Sequence, residues 1–258
     1  MDAILAPHDL LALFCGALVG ASLALIGGGG SILATPLLLY VVGVHDPHLA
    51  IGTSALAVSL NAFANLVPHA RAGHVRWREA TVFGVAGVAG AFAGASLGKW
   101  LDGQRLLVFF AILMLVVAAL MWHPRASRAP VRRPHPLPWL SGTGLFAGGL
   151  SGFFGIGGGF LVVPGLMFAG GLDVIEAIGS ALLAVGMFGA TTAASYAASG
   201  LIDWHIAAEF LAGGLVGGWI GALGAQRLAR KRGVLNRLLA VVIAVVGVFM
   251  LWREIGRV

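Results

Sequence analysis

The stretch Leu25–Tyr40, LIGGGGSILATPLLLY, places four consecutive glycines and a proline inside an apolar segment. Glycine and proline are the residues that least favour a helix interior, so we do not expect one helix to run unbroken through it. A break inside a membrane leaves backbone N–H groups without helical partners, and these are tolerated only where protein or water satisfies them. The stretch therefore predicts an interrupted helix that faces a cavity or other protein, not lipid.

The composition indicates a membrane protein. Of the 258 residues, 59% are hydrophobic and 10% are charged, whereas a soluble domain carries roughly 25% charged residues. Apolar runs recur along the chain, and the short alternating strands of a membrane β-barrel are absent from the sequence. We therefore predict an all-α polytopic membrane protein.

The net charge of +6 does not indicate nucleic-acid binding. The basic residues occupy short gaps between apolar runs, which is the pattern of membrane topology. We therefore expect the protein to contact the lipid bilayer and to bind no nucleic acid. Cys15 is the only cysteine, so intrachain disulfides and metal sites built from several cysteines are excluded.

The second half of the chain repeats the first. GGGGSILATP from Gly27 aligns with GIGGGFLVVP from Gly155 at an offset of 128, and two later motif pairs follow at 127. Those pairs are AIGTSA from Ala50 with AIGSAL from Ala177, and GHVRW from Gly73 with GLIDW from Gly200. This register predicts two structural repeats, 1–123 and 139–258, joined by a cytoplasmic linker, 124–138, that is rich in proline and arginine.

Each repeat divides at glycine, proline and charge clusters into five apolar pieces. The pieces are Leu10–Ile26, Ser31–Val44, Ala50–Ala70, Trp77–Gly98 and Arg105–Trp122, then Trp139–Phe154, Phe160–Gly170, Val174–Ser199, Trp204–Ala225 and Val234–Trp252. The first two pieces of each repeat form either one broken helix or a hairpin of two short helices.

Charge favours the hairpin. If the two pieces are separate arms, twelve of the sixteen Lys and Arg residues lie on one face of the membrane; if they form one crossing, the division is nearly even. Five pieces per repeat make the repeats inverted. We therefore predict two inverted repeats, each with a Gly-broken short-helix hairpin plus three spanning helices, and both termini in the periplasm.

The paired glycine breaks predict an anion site. The amino-terminal end of a helix offers free N–H groups and the positive end of its dipole, and equivalent broken segments in inverted repeats indicate a transporter with a site near the midplane. Neutral hydrogen-bond donors suit an anion that must also be released. The candidate substrate-binding residues are Gly28, Gly29, Gly30, Ser31, Thr53, Asn61, Asn65, Gly157, Gly158, Gly159, Ser180 and Thr192.

Other glycines and one carboxylate have different predicted roles. The rows Gly90, Gly94, Gly98 and Gly213, Gly217, Gly221 have the small-xxx-small spacing of close helix packing. Glu209 lies five residues into its apolar piece and is a candidate for proton coupling. No ATP-binding loop or nucleophile motif is present, so we predict no enzyme activity, no catalytic residues, no cofactor and no metal site.

The duplicated GGGGSILATPLL and GIGGGFLVVPGL, each followed by AIG[TS] and G-x-[VI]-x-W, resemble the TauE/SafE sulfite exporter family over nearly the whole chain. The resemblance implies a transporter of sulfite, sulfonates or related anions in the bacterial inner membrane. We predict a secondary active transporter that binds a small sulfur-containing anion at paired helix amino termini. The alternatives are a transporter or channel for another small anion, such as a carboxylate, and a membrane assembly factor that transports nothing; no oligomeric state is predicted.

Overall fold

A computed structural model describes residues 7–26, 29–122, 137–157, 159–228 and 232–255, and every regular element in these ranges is helical. The first five helices are α1 (Pro7–Ile26), α2, α3 (Pro47–Arg71), α4 (Trp77–Trp100) and α5 (Gly103–Trp122), where α2 joins a 3-10 segment (Gly29–Leu33), an α-helical segment (Ala34–Leu37) and a π-helical segment (Leu38–Val42). The second five are α6 (Leu137–Phe154), α7 (Gly159–Gly170), α8 (Val174–Ala197), α9 (Trp204–Leu228) and α10 (Arg232–Ile255). The ten predicted apolar pieces correspond one to one to these helices, and the all-α fold is confirmed.

The helices have the lengths of a multi-pass membrane protein. Among the described residues, α1, α3, α4, α5 and α8 each contain a stretch long and apolar enough to cross a membrane, whereas α2 and α7 are short apolar helices. Large apolar side chains such as Phe92, Trp219 and Trp252 are exposed on the outside, as expected of a surface that contacts lipid.

The first two helices of each repeat form a hairpin. His8 Nδ1, at the beginning of α1, lies 3.2 Å from the carbonyl oxygen of Val42, at the end of α2. In the second repeat, the rings of Trp139 in α6 and Phe168 in α7 have centroids 6.3 Å apart. Since the start of one helix meets the end of the next, each pair folds back on itself and does not make a single broken crossing.

Two interfaces rest on glycine rows. α4 packs against α6, and α9 packs against α1. A Cβ atom added at Gly94 would collide with the carbonyl oxygen of Gly149 in α6, and one added at Gly217 would collide with that of Ala17 in α1. The backbones touch directly at these glycines, which confirms the predicted packing role of both rows.

α3 and α8 lie side by side between the two glycine-row interfaces. Thr53, near the start of α3, accepts a hydrogen bond from Asp203 beyond the end of α8, and Ser180, near the start of α8, accepts one from Arg76 beyond the end of α3. Between these ends, Ser59 donates to the Gly186 carbonyl at 2.7 Å. α3 and α8 are therefore antiparallel, as repeats of opposite orientation would make them.

The predicted linker 124–138 overlaps the beginning of α6. Its residues 124–136, including the arginine cluster, lie outside the described residues, and α6 already begins at Leu137. Pro138, the last residue of the predicted linker, lies in the first turn of α6. In the first turn of a helix, a backbone N–H has no hydrogen-bond partner within the helix, so proline is tolerated there.

Candidate functional site

The break of the second repeat lies at the contact between α3 and α8. Gly155 and Gly157 have φ values of +66° and +65°, in the left-handed region that glycine adopts without strain. A Cβ atom at Gly155 would collide with Ile51 of α3. One at Gly157 would lie 3.0 Å from Val58 of α3 and 3.3 Å from Val185 of α8. Both the conformation and the close packing therefore require glycine here.

For the break of the first repeat, the structure describes only the carboxyl-terminal side, which begins at Gly29. Gly28, like Gly158 of the second break, lies outside the described residues, and Gly29 begins the 3-10 segment of α2. Gly30 and Ser31 are buried, and a Cβ atom at Gly30 would collide with Ser22 of α1. Gly30 thus allows α2 to fold tightly onto α1.

The segments that follow the two breaks pack against each other. The 3-10 segment Gly29–Leu33 packs against α7, which starts at Gly159. The first N–H groups of a helix have no partner within it, and here a 3-10 segment and a short helix that each begin just after a break pack against each other.

Asn61 is a buried amide with no hydrogen-bond partner. Its side chain is fully buried and contacts Gly214 of α9, and neither Oδ1 nor Nδ2 is bonded. Asn65, one turn later, contacts Gly218 and donates to the Asn61 carbonyl at 2.9 Å. An unpaired buried amide costs about 1–3 kcal/mol, and native structures rarely keep one without a reason. Asn61 is therefore a buried side chain whose hydrogen-bonding capacity the described residues leave unused.

Asn61 shares a face of α3 with residues that contact α2 and the second break. One face of α3 carries positions 51, 54, 58, 61 and 65, which follow helical spacing. On this face Val58 contacts the second break, and the Ser54 hydroxyl lies 2.9 Å from Thr35 Oγ1 of α2. Asn61 is one turn beyond Val58 on this face, and its amide contacts Gly214 of α9.

Three predicted donors are used in the packing of the helices. Thr53 and Ser180 are fully buried, and each hydroxyl oxygen accepts a backbone N–H from the other repeat. Thr192 Oγ1 donates to the Phe188 carbonyl of its own helix at 2.9 Å. The structure does not group these hydroxyls with the Asn61 amide.

The two repeats differ chemically at equivalent positions. Asn61 of α3 corresponds to Phe188 of α8, and Gly214 of α9 corresponds to Gly87 of α4. A Cβ atom at Gly87 would collide with the Phe188 ring, which also stacks on Phe83 with centroids 6.2 Å apart. The same packing position therefore holds an amide in one repeat and an aromatic ring in the other.

The buried polar side chains in this part of the molecule are neutral. Those of α2, α3, α6 and α8 are serines, threonines and asparagines. The single buried charged side chain within the described ranges is Glu254 near the end of α10, which accepts a hydrogen bond from Tyr40 at 2.9 Å. The interior thus offers dipoles and neutral donors to a ligand.

Glu209 is part of a titratable cluster that sequence analysis missed. His205 Nε2 lies 3.2 Å from Glu209 Oε1 and 3.7 Å from Asp9 Oδ1 of α1. The i, i+4 spacing of His205 and Glu209 was a visible signal for grouped polar side chains on α9. Asp9 carried no such signal, because it joins the cluster only through the packing of α1 against α9.

The sulfite exporter TauE/SafE family model matches residues 12–250 of the chain. A probable membrane transporter protein of Xylella fastidiosa is 52% identical over 244 residues, which cover 93% of each protein. The probable membrane transporter protein YunE of Bacillus subtilis is 24% identical over 265 residues, which cover 93% of this chain and 96% of YunE. No solved structure gives a significant match. The chain belongs to the TauE/SafE sulfite exporter family and is a multi-pass membrane transporter, not an enzyme.

Proposed function

We propose that this protein is a secondary active transporter that carries a small sulfur-containing anion, sulfite or an organosulfonate, across the bacterial inner membrane. The observation that carries the proposal is the Asn61 amide, which is fully buried, unpaired at both polar atoms and one turn along α3 from Val58, the residue that contacts the second break. The family description supports sulfite or a related anion as the substrate class.

The anion is held by dipoles and neutral donors. In this proposal, the N–H groups near Gly29–Ile32 and Gly159–Leu161 bind it from the two breaks, with the positive ends of the helix dipoles behind them. Asn61 and Asn65 supply amide hydrogen bonds. Because no fixed cation contributes, binding is of moderate strength, which suits release on the opposite side.

The same proposal includes inverted repeats. The antiparallel pair α3 and α8 supports it, and so does the parallel packing of α1 on α9, in which Leu13 meets Gly213 and Ala21 meets Gly221. The repeat units are 1–123 and 139–258, with both termini in the periplasm and the linker in the cytoplasm. Two such units rocking about a shared site provide alternating access.

Anion binding to the purified protein tests the proposal. We expect sulfite or methanesulfonate to raise the melting temperature, whereas chloride and succinate do so weakly. Asn61→Leu should weaken sulfite binding at least about tenfold without lowering stability, because replacing an unpaired buried amide by an apolar group of similar shape removes a desolvation cost. Thr191→Val, which removes a hydroxyl that donates only to the Met187 carbonyl, is the matched control.

Each opposite result has a definite meaning. If Asn61→Leu lowers the melting temperature and leaves sulfite affinity unchanged, Asn61 is a structural residue and the site is wrong. Tighter binding of succinate than of sulfite would identify a carboxylate transporter. Absence of any anion binding, together with no uptake or efflux by proteoliposomes, would favour the membrane assembly factor.

A further inference from the structure

Three titratable side chains meet where the parallel helices α1 and α9 begin. The polar atoms of Asp9, His205 and Glu209 lie within 4.8 Å of one another. The His205 side chain is 75% exposed, whereas those of Asp9 and Glu209 are 19% and 12% exposed. Glu209 Oε2 is buried and has no hydrogen-bond partner. The imidazole thus faces outward, and one carboxyl oxygen points inward without a bond.

Helix packing does not require this cluster. The α4–α6 interface is equivalent to the α9–α1 interface and uses the same backbone contacts at glycine. At the position of Glu209 the first repeat has Val82, and at the position of His205 it has Arg78. The α4–α6 interface therefore forms without a carboxylate pair. A carboxylate pair in a membrane helix is unfavourable when both groups are ionised, so its presence at one interface indicates a function.

We propose that Asp9 and Glu209 share one proton and that its binding is coupled to binding of the transported anion; the coupling rests on the proposed function. Two carboxylates this close do not readily ionise together, so one proton bonds covalently to one oxygen and hydrogen-bonds to the other carboxyl group. The proton comes from water at the exposed face of His205 and returns to water when it leaves. Its binding changes the charge of the pair from −2 to −1.

The neighbouring groups act on the shared proton in opposite directions: positive charge on His205 opposes it, and the Asp203 carboxylate favours it. On α9, the imidazole of His205 pairs with both carboxylates, and the Asp203 carboxylate accepts the N–H groups of His205 and Ile206 and adds negative charge nearby. On α1, the ring of His8 contacts the Val42 carbonyl. On α3, the side chains that touch α9 glycines are the neutral amides Asn61 and Asn65.

Backbone contacts connect the cluster to the anion site. Gly214 follows Glu209 by five residues, about 7.5 Å along the axis of α9. Gly214 contacts the backbone of Gly20 in α1 and the side chain of Asn61 in α3. Repulsion between two ionised carboxylates separates the ends of α1 and α9, and a shared proton draws them together. The same movement shifts the Gly214 contact with Asn61.

Thermal stability as a function of pH, measured without any anion, tests the proton site by itself. The wild-type melting temperature should fall by a few degrees as pH rises from about 5.5 to about 8, because the proton leaves and the carboxylates repel. Glu209→Gln and Asp9→Asn should remove most of this dependence, since neither variant can carry two negative charges. Glu79→Gln, in the first turn of α4, is the control and should retain it. If both cluster variants keep the wild-type pH dependence, the shared proton is wrong.

Sulfite binding as a function of pH tests the coupling. Wild-type affinity should change about tenfold over the same range, a typical size for coupled sites, and Glu209→Gln should bind with an affinity that is independent of pH. Equal pH dependence in wild type and variant would overturn the coupling. Failure of sulfite to bind at all would contradict the proposed function, while the stability measurement still decides the proton site. Stabilisation of wild type, but not of Glu209→Gln, by micromolar Zn²⁺ or Mn²⁺ would assign the cluster to a metal and overturn the proton.

Discussion

Thr53 and Ser180 occupy equivalent positions in the two repeats, and each accepts a backbone N–H of the other repeat. The donors, Asp203 at 3.0 Å and Arg76 at 2.9 Å, are themselves equivalent. Each donor immediately precedes the fourth helix of its repeat. Two equivalent hydrogen bonds therefore hold the antiparallel pair α3 and α8 together, one at each end.

Removing either hydroxyl should reduce stability. Thr53→Val and Ser180→Ala each leave a partly buried N–H without its acceptor, which costs about 1–3 kcal/mol. Thermal unfolding measures the loss, with Thr191→Val as the control. Sulfite affinity separates the two roles that these residues have: an unchanged Kd indicates structure alone, and a weaker Kd supports the predicted contact with substrate. An unchanged melting temperature in both variants would contradict the structural role.

The glycine rows should tolerate no side chain at their contact points. Gly217→Leu forces α9 away from the Ala17 carbonyl and should cost about 1–3 kcal/mol or prevent folding. Gly142→Ala is the matched control in α6, because a Cβ atom there meets nothing within 4 Å and alanine favours helix. The melting temperature should fall for the first variant and stay level or rise for the second. Equal stability of both proteins would contradict direct backbone contact.

The second break should be sensitive to a single methyl group. Gly157→Ala places a side chain at φ +65° and against Val58, and the left-handed conformation alone costs about 1–2 kcal/mol. We expect reduced anion transport in proteoliposomes and a lower melting temperature. Adding Val58→Ala should relieve the contact but not the backbone strain, so rescue is partial. Full activity of Gly157→Ala would show that the break does not need its present conformation.

Inverted repeats require equivalent loops to face opposite sides of the membrane. Ala72 and Ala198 are exposed residues in the loops that follow α3 and α8. Cys15 is buried, so it gives little background when cysteines are introduced. With a membrane-impermeant thiol reagent, Ala198→Cys should react in intact cells and Ala72→Cys only after the cells are opened. Labelling of both from the same side would contradict the proposed topology.

The sequence predicted local features well and distant contacts poorly. Helix boundaries follow glycine, proline and charge clusters, which act within a few residues, and so the ten helices were visible in advance. The π-helical segment Leu38–Val42 left no pattern, because it depends on how α2 fits against α1. Asn61 was recognised as polar and helical, but its unpaired amide depends on Gly214 in another repeat. The joining of Asp9 to Glu209 likewise depends on the packing of α1 against α9.

The packing of α1 against α9 has a consequence for biosynthesis. A ribosome adds about 5–20 residues per second, so on the order of ten seconds separate the emergence of α1 from that of its partner. Throughout that interval the glycine-contacting face of α1 and the carboxylate of Asp9 lack their native neighbours. The first helix must therefore be held by lipid or by the insertion machinery, and it completes its contacts only when α9 enters the membrane.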